Sequence, residues 1–121
     1  MKILTKEIRA QLLANGRAQR AAIRGKPEPA PLDPLPVVKL FTPDAGATWL
    51  LSEIDPEDED LAFGLCDLGL GEPELGHVRI SELEALRGPL RLPVERDLHF
   101  SATRPMSAYL EAARRAGRIV T

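Results

Sequence analysis

The sequence predicts an α+β fold, an antiparallel sheet of about four strands with N-terminal, middle and C-terminal helices packed on it. Three observations carry that expectation. Between residues 37 and 68, three short apolar runs alternate with dense turn chemistry. Each end of the chain carries an apolar stripe at helical spacing. Between them, Ser81-Glu82-Leu83-Glu84 has the form of a capping box that opens a short helix.

Thr5 is a natural N-cap, and Ile8, Leu12 and Leu13 place apolar side chains on one helical face. Asn15-Gly16 reads as the stop of that helix, because both residues tolerate the left-handed conformation. Residues 17–24 allow a further turn or two. Residues 25–36 contain five prolines, which remove backbone donors and block helix, so this segment reads as a linker or extended arm.

Residues 37–41 form the first expected strand. Thr42-Pro43-Asp44-Ala45-Gly46 supplies the proline and glycine of a tight hairpin. Residues 48–54 and 61–68 form the next two strands, joined across an acidic tip at 55–60. If the pairing is symmetric about that tip, Ile54 faces Leu61 and Trp49 faces Cys66. Leu50, Ser52, Ile54, Leu61, Phe63 and Leu65 then share a core face. The opposite face carries Trp49, Leu51 and Glu53 beside Ala62, Gly64 and Cys66, a large aromatic next to small residues, and is either the expected pocket or a second core layer covered by the N-terminal helix or the proline arm.

Gly69, Gly71, Pro73 and Gly76 break up the next segment. Residues 77–80 suit a short strand, and Gly88-Pro89 ends the helix that Ser81 opens. Val94, Arg96, Leu98 and Phe100 alternate, which predicts another strand over 94–100. Pro105 opens a last helix with Met106, Tyr109, Leu110 and Ala113 inward. Arg114 and Arg115 stand at its negative end and Gly117 closes it.

With 121 residues, 44% hydrophobic and 28% charged, the chain has the size and composition of one globular domain. A net charge of -2 does not suggest wholesale electrostatic binding to nucleic acid. The charge is uneven, however. Lys2, Lys6, Arg9, Arg17, Arg20, Arg24 and Lys26 face one acid, Glu7, while residues 53–60 are nearly all acidic. The single Cys66 excludes an intramolecular disulfide. No segment has the apolar length of a signal peptide core or a membrane span, so a cytoplasmic location is the expectation.

The words KLF, ATW, DPED, AFG, LGLGEPELG and SELE, followed by LPVERDLHF, together resemble a bacterial family known as domain of unknown function 2958. The likeness runs from Leu4 onward through most of the chain. It implies an accessory role in mobile-element maintenance or host-defence evasion, because such proteins sit on conjugative plasmids beside antirestriction and replication genes. It implies no catalytic residues. The proline-rich insert is where this chain departs from the family pattern.

The candidate chemistry is sparse. Glu53, Asp55, Glu57, Asp58, Glu59 and Asp60 lack the alternation of a calcium loop and read as a solvated turn. His77 and His99, the latter near Asp97, lie on separate elements with no spacing that ties them. Cys66 has no neighbouring cation to activate it and reads as a buried small side chain. The glycines of LGLGEPELG lack the Lys-Ser/Thr of a phosphate loop.

Three functions remain. The leading one is a non-enzymatic protein-interaction module, with Trp49, Leu51, Glu53 and Gly64 contacting a protein partner, or the acidic hairpin doing so. The second is an accessory DNA-binding protein using Arg9, Arg17, Arg20, Arg114 and Arg115, if the terminal helices are adjacent. The third is a carboxylate-dependent metal enzyme built on Glu53, Asp55 and Asp67. No cofactor and no metal ligand set is expected from the residues alone.

Overall fold

Residues 2–121 are described by the computed structural model. Its elements are α1 (Lys6–Ile23), β1 (Val38–Phe41), β2 (Thr48–Asp55), β3 (Asp58–Asp67), β4 (Glu74–Arg79), α2 (Ile80–Ala85), β5 (Glu95–Arg96) and α3 (Met106–Ala116). The strands form one antiparallel sheet in the order β4-β3-β2-β1-β5, five strands among the described residues rather than about four.

Both faces of this sheet are core. Trp49, Leu51, Ile54, Ala62, Val38 and Leu40 pack with Leu12 of α1, Ile80 and Leu83 of α2, and Ile3, Leu4 and Val94. Leu50 and Leu65 pack with Met106, Tyr109 and Ala113 of α3 and with Ile119. The Trp49 face is therefore a second core layer under α1 and α2, and not the open pocket that was its alternative. The residues sharing each face also change, through a β-bulge: Leu51 pairs with Gly64 but Glu53 with Phe63, which leaves Ser52 as an extra residue. Trp49 faces Cys66 as the symmetric pairing predicts, whereas Ile54 faces Ala62 and not Leu61. Past the bulge, Ile54 has moved to the α1 face and Glu53 to the α3 face.

The short pairing of β1 explains why α1 does not stop at Asn15-Gly16. β1 pairs only with Thr48–Leu51 of β2, so the far half of β2 has no strand on that side. α1 fills the gap. Asn15 Nδ2 donates to the Ser52 carbonyl at 2.9 Å. Gly16 is buried against Ile54, where an added Cβ would stand 1.9 Å from the carbonyl oxygen. Glycine at this position serves close approach, and the helix continues to Ile23. Thr5 caps its start, with Oγ1 accepting from the Ile8 N–H at 3.1 Å.

Other boundaries shift for local reasons. The β2–β3 turn shrinks to Pro56-Glu57, so strand structure extends into the acidic segment. Asp60 captures the Ser81 N–H and hydroxyl at 2.9 and 2.6 Å, which removes Ser81 from the capping box; Arg79 is the N-cap instead. β5 ends at Arg96 because Asp97 starts a turn, accepting from the His99 N–H at 2.8 Å. Pro105 caps α3, and Gly117 closes it at φ 75°.

The proline-rich segment is strapped to the body rather than hanging as a linker. Gln19 brackets Leu32, accepting from its N–H at 2.7 Å and donating to its carbonyl at 3.1 Å. Asp33 accepts from the Ser107 N–H at 3.0 Å and from the Ser107 hydroxyl, so it satisfies donors in the first turn of α3. Pro34 accepts from the Met106 N–H at 2.9 Å.

Gly16→Ala tests the α1 contact. Alanine adds about 1 kcal/mol of helix propensity, but its Cβ meets a backbone atom that no rotamer change can move. Overpacking costs of about 1–3 kcal/mol exceed the gain. The expected result is a net loss of up to about 2 kcal/mol in urea denaturation; a raised midpoint would contradict the packing described.

Candidate functional site

The bulge that moves Glu53 to the α3 face also builds the most distinctive surface feature. Glu53 pairs with Phe63 and Phe63 with His77, so three side chains from β2, β3 and β4 form one row across the sheet. This row lines a groove of about 410 Å³, walled by Gly16, Gln19, Arg20 and Ile23 of α1 and by Pro56 and Leu61. α3 covers the neighbouring stretch of this face around Leu50 and Leu65 and leaves the groove open.

Glu53 is half-buried, and burial pushes its carboxyl above the ordinary carboxylate range; Gln19 and His77 beside it lower it only in part. Among the described residues, no Lys, Arg or His side chain lies within ion-pair distance of it. The nearby cations are held elsewhere. Arg20 meets Asp55 at 2.9 Å and Glu57 at 2.5 Å, the latter contact lying off the hydrogen-bonding direction. Arg24 meets Glu57 at 3.2 Å. These guanidinium contacts hold the Glu57 carboxyl below its ordinary value. Phe63 and His77 stack edge to face, their ring centroids 5.0 Å apart.

The surface expected at Trp49 is corrected by the packing. Trp49 is 3% exposed and Leu51 fully buried under α1, so neither offers area to a partner. Gly64 is buried for close strand approach, since a Cβ there would stand 2.0 Å from the Leu50 carbonyl oxygen. Of that expected set, Glu53 lines the groove on the other face, and Trp49 only edges a second groove beside Cys66, Leu70 and Leu75.

The basic residues do not converge. α1 and α3 pack into separate clusters on opposite faces of the sheet. Arg9 donates to the Glu59 carbonyl at 3.2 Å, Arg20 is ion-paired, and Arg115 pairs with Glu111. Arg17 and Arg114 are exposed on their respective helices. The carboxylates of the third reading are also apart. Asp67 lies at the opposite end of β3 and accepts from the Gly69 and Ile119 N–H groups, each at 2.9 Å. Asp55 is occupied by Arg20 and by the Glu57 N–H at 2.8 Å.

The acidic segment is likewise divided among structural duties. Asp58 and Asp60 meet Arg79 at 3.1 and 3.7 Å, and Asp60 holds Ser81, whose hydrogen bonds lower its carboxyl below the usual value. His77 and His99 lie on opposite sides of the sheet order, by β4 and β5. Cys66 is partly buried, and burial pushes its thiol up to about 11.

The sequence rated His77 as an isolated residue and missed its link to Glu53. Ser52, a polar residue interrupting an apolar alternation, was the only local sign of the register shift that joins them.

A small α+β domain with both sheet faces covered and an open groove carrying Glu53 is the class that this geometry defines. Residues 3–120 match DUF2958, described as a protein of unknown function, and the chain belongs to that family. No curated protein matches the chain. No solved structure matches it either. No helix among the described residues is long and apolar enough to cross a membrane.

Two measurements probe the site's electrostatics. Because burial raises the folded-state pKa of Glu53, the folded chain holds that proton more tightly than the unfolded chain. The stabilising contribution is present below the unfolded value and is lost as pH rises through the folded one. Glu53→Gln therefore should raise Tm at neutral pH, and the difference should shrink toward about pH 4. A lowered Tm at neutral pH would contradict that sign. For Cys66, a thiol at about 11 against an ordinary value of about 8.5 implies roughly two orders of magnitude less thiolate at pH 8. Labelling by a disulfide reagent should be slower than in the urea-unfolded chain by that factor. Equal rates would contradict the burial.

Proposed function

We propose that this chain is a small non-enzymatic protein-interaction module that engages its partner through the groove formed by Glu53, Phe63 and His77. The observation that carries this reading is the cross-strand row itself: a half-buried carboxylate without a cation, on an aromatic floor, in an open cavity. Concave sites that combine apolar walls with convergent polar groups serve recognition, and this groove sets Ile23, Pro56, Leu61 and Phe63 beside Gln19, Glu53 and His77. Glu53 and His77 flank Phe63 instead of hydrogen-bonding to each other. The third-strand separation of about 9–10 Å between their backbones suits two contacts on a ligand better than a nucleophile with its base.

The resemblance associates DUF2958 proteins with conjugative plasmids, and we place this chain in the cytoplasm as an accessory of mobile-element maintenance or host-defence evasion.

Affinity capture from a plasmid-bearing bacterial host tests the surface. The parent chain, Glu53→Ala and Trp49→Phe are compared, with folding checked by circular dichroism. The expected outcome is a protein recovered with the parent and with Trp49→Phe, and reduced at least tenfold with Glu53→Ala. Equal recovery by Glu53→Ala would reject the groove as the interaction surface.

A further inference from the structure

The charges around the groove do not balance, and the imbalance has one location. Asp55 and Glu57 offset Arg20, and Glu57 also offsets Arg24. Glu53 lines the groove floor and has no Lys or Arg paired to it among the described residues. With the exposed Glu57 counted, the two guanidinium groups are taken up by Asp55 and Glu57, and Glu53 is the carboxylate left without a paired cation. A carboxylate is an acceptor only, and its half-buried position makes an unmet charge costly.

The walls complete the specification. Ile23, Pro56 and Leu61 present apolar surface above Glu53, and the Phe63–His77 pair forms an aromatic side. An aliphatic stem that ends in a cation fits both surfaces, because such groups bury their methylenes and direct the charged head to an acceptor. Aromatic faces add attraction for the cation.

We propose that the groove takes one alkylguanidinium or alkylammonium group, the side chain of a partner's arginine or lysine, with Glu53 accepting its hydrogen bonds. This rests on the groove being the interaction surface. The pH response follows from the groups that face Glu53: Arg20 and Arg24 on α1, Asp55 and Glu57 at the β2–β3 turn, and His77 on β4. Protonation of Glu53 removes the negative charge that faces the cation. Cation binding therefore weakens as pH falls.

The probes are n-butylguanidinium, n-butylammonium and neutral n-pentanol, titrated into the full chain while the His77 and Phe63 ring resonances are followed by NMR. Both cations should shift these resonances saturably, whereas n-pentanol should bind at least tenfold more weakly. Glu53→Gln should weaken the cations by about tenfold or more, as expected for loss of a charge-assisted hydrogen bond. A capped lysine peptide and its norleucine counterpart extend the test to a polypeptide source. Tighter binding of the lysine peptide than of n-butylammonium supports a partner side chain; weaker binding would overturn that source in favour of a free amine.

Equal affinity for n-pentanol, or no effect of Glu53→Gln, would overturn the cation pocket even where capture of a protein still depends on Glu53. The converse result, cation binding at the groove with capture unaffected by Glu53→Ala, would leave the cation chemistry standing and reject the partner.

Discussion

Leu51 pairs with Gly64 and Glu53 pairs with Phe63, so Ser52 stands in β2 with no residue opposite it. Because side chains alternate along a strand, one inserted residue exchanges the faces of everything beyond it. Trp49 and Leu51 before the insertion and Ile54 after it consequently lie on the α1 side. Leu50 before it and Glu53 after it lie toward α3. An unbulged strand would bury Glu53 beneath α1 among Leu12, Ala62 and Leu51, where a carboxylate without a partner is costly. The bulge avoids that conflict and opens the groove in the same step.

The far half of β2 also lacks a strand neighbour, and α1 takes that place. Asn15 satisfies the Ser52 carbonyl, and Gly16 lets the helix approach the Ile54 backbone. The helix then carries Gln19, Arg20 and Ile23 past the sheet to form the groove wall. Its apolar contacts supply most of the holding energy, since fully burying a side chain such as Leu12 contributes about 1.5–3 kcal/mol. The pairs of Arg20 and Arg24 with Asp55 and Glu57 are partly or largely exposed, and such pairs contribute about 0–1 kcal/mol. Their consequence is electrostatic: they occupy the local cations and leave Glu53 unpaired.

Much of the architecture was legible where local chemistry and tertiary need agree. Thr5, the Thr42–Gly46 turn, Gly117 and the Met106, Tyr109 and Ala113 face all act as the sequence indicates. Legibility failed where a residue answers a distant partner. Gly16 looks like a stop but faces Ile54, and Ser81 looks like a cap but is held by Asp60. The prolines of residues 25–36 block helix as expected, yet Gln19 and the start of α3 anchor Leu32–Pro34. The candidate site was less legible still. Glu53 was identified, but its neighbours Trp49 and Leu51 proved to be core, and His77 was not connected to it.

By itself, the sequence determined the α+β class, the sequence of most elements, the hairpin register near Trp49 and Cys66, and the membership of DUF2958. Those properties follow from periodicity, turn residues and family words, all of which act over a few positions. Only the tertiary structure decided that both sheet faces are buried, that Trp49 is covered, and that Glu53, Phe63 and His77 form one row. The physical reason is that these outcomes rest on distant partners. Trp49 is covered by α1 and α2, whereas the row depends on how β2 pairs with β3, because the bulge at Ser52 exchanges the faces of Glu53 and Ile54 before a second register shift between Ile54 and Asp55.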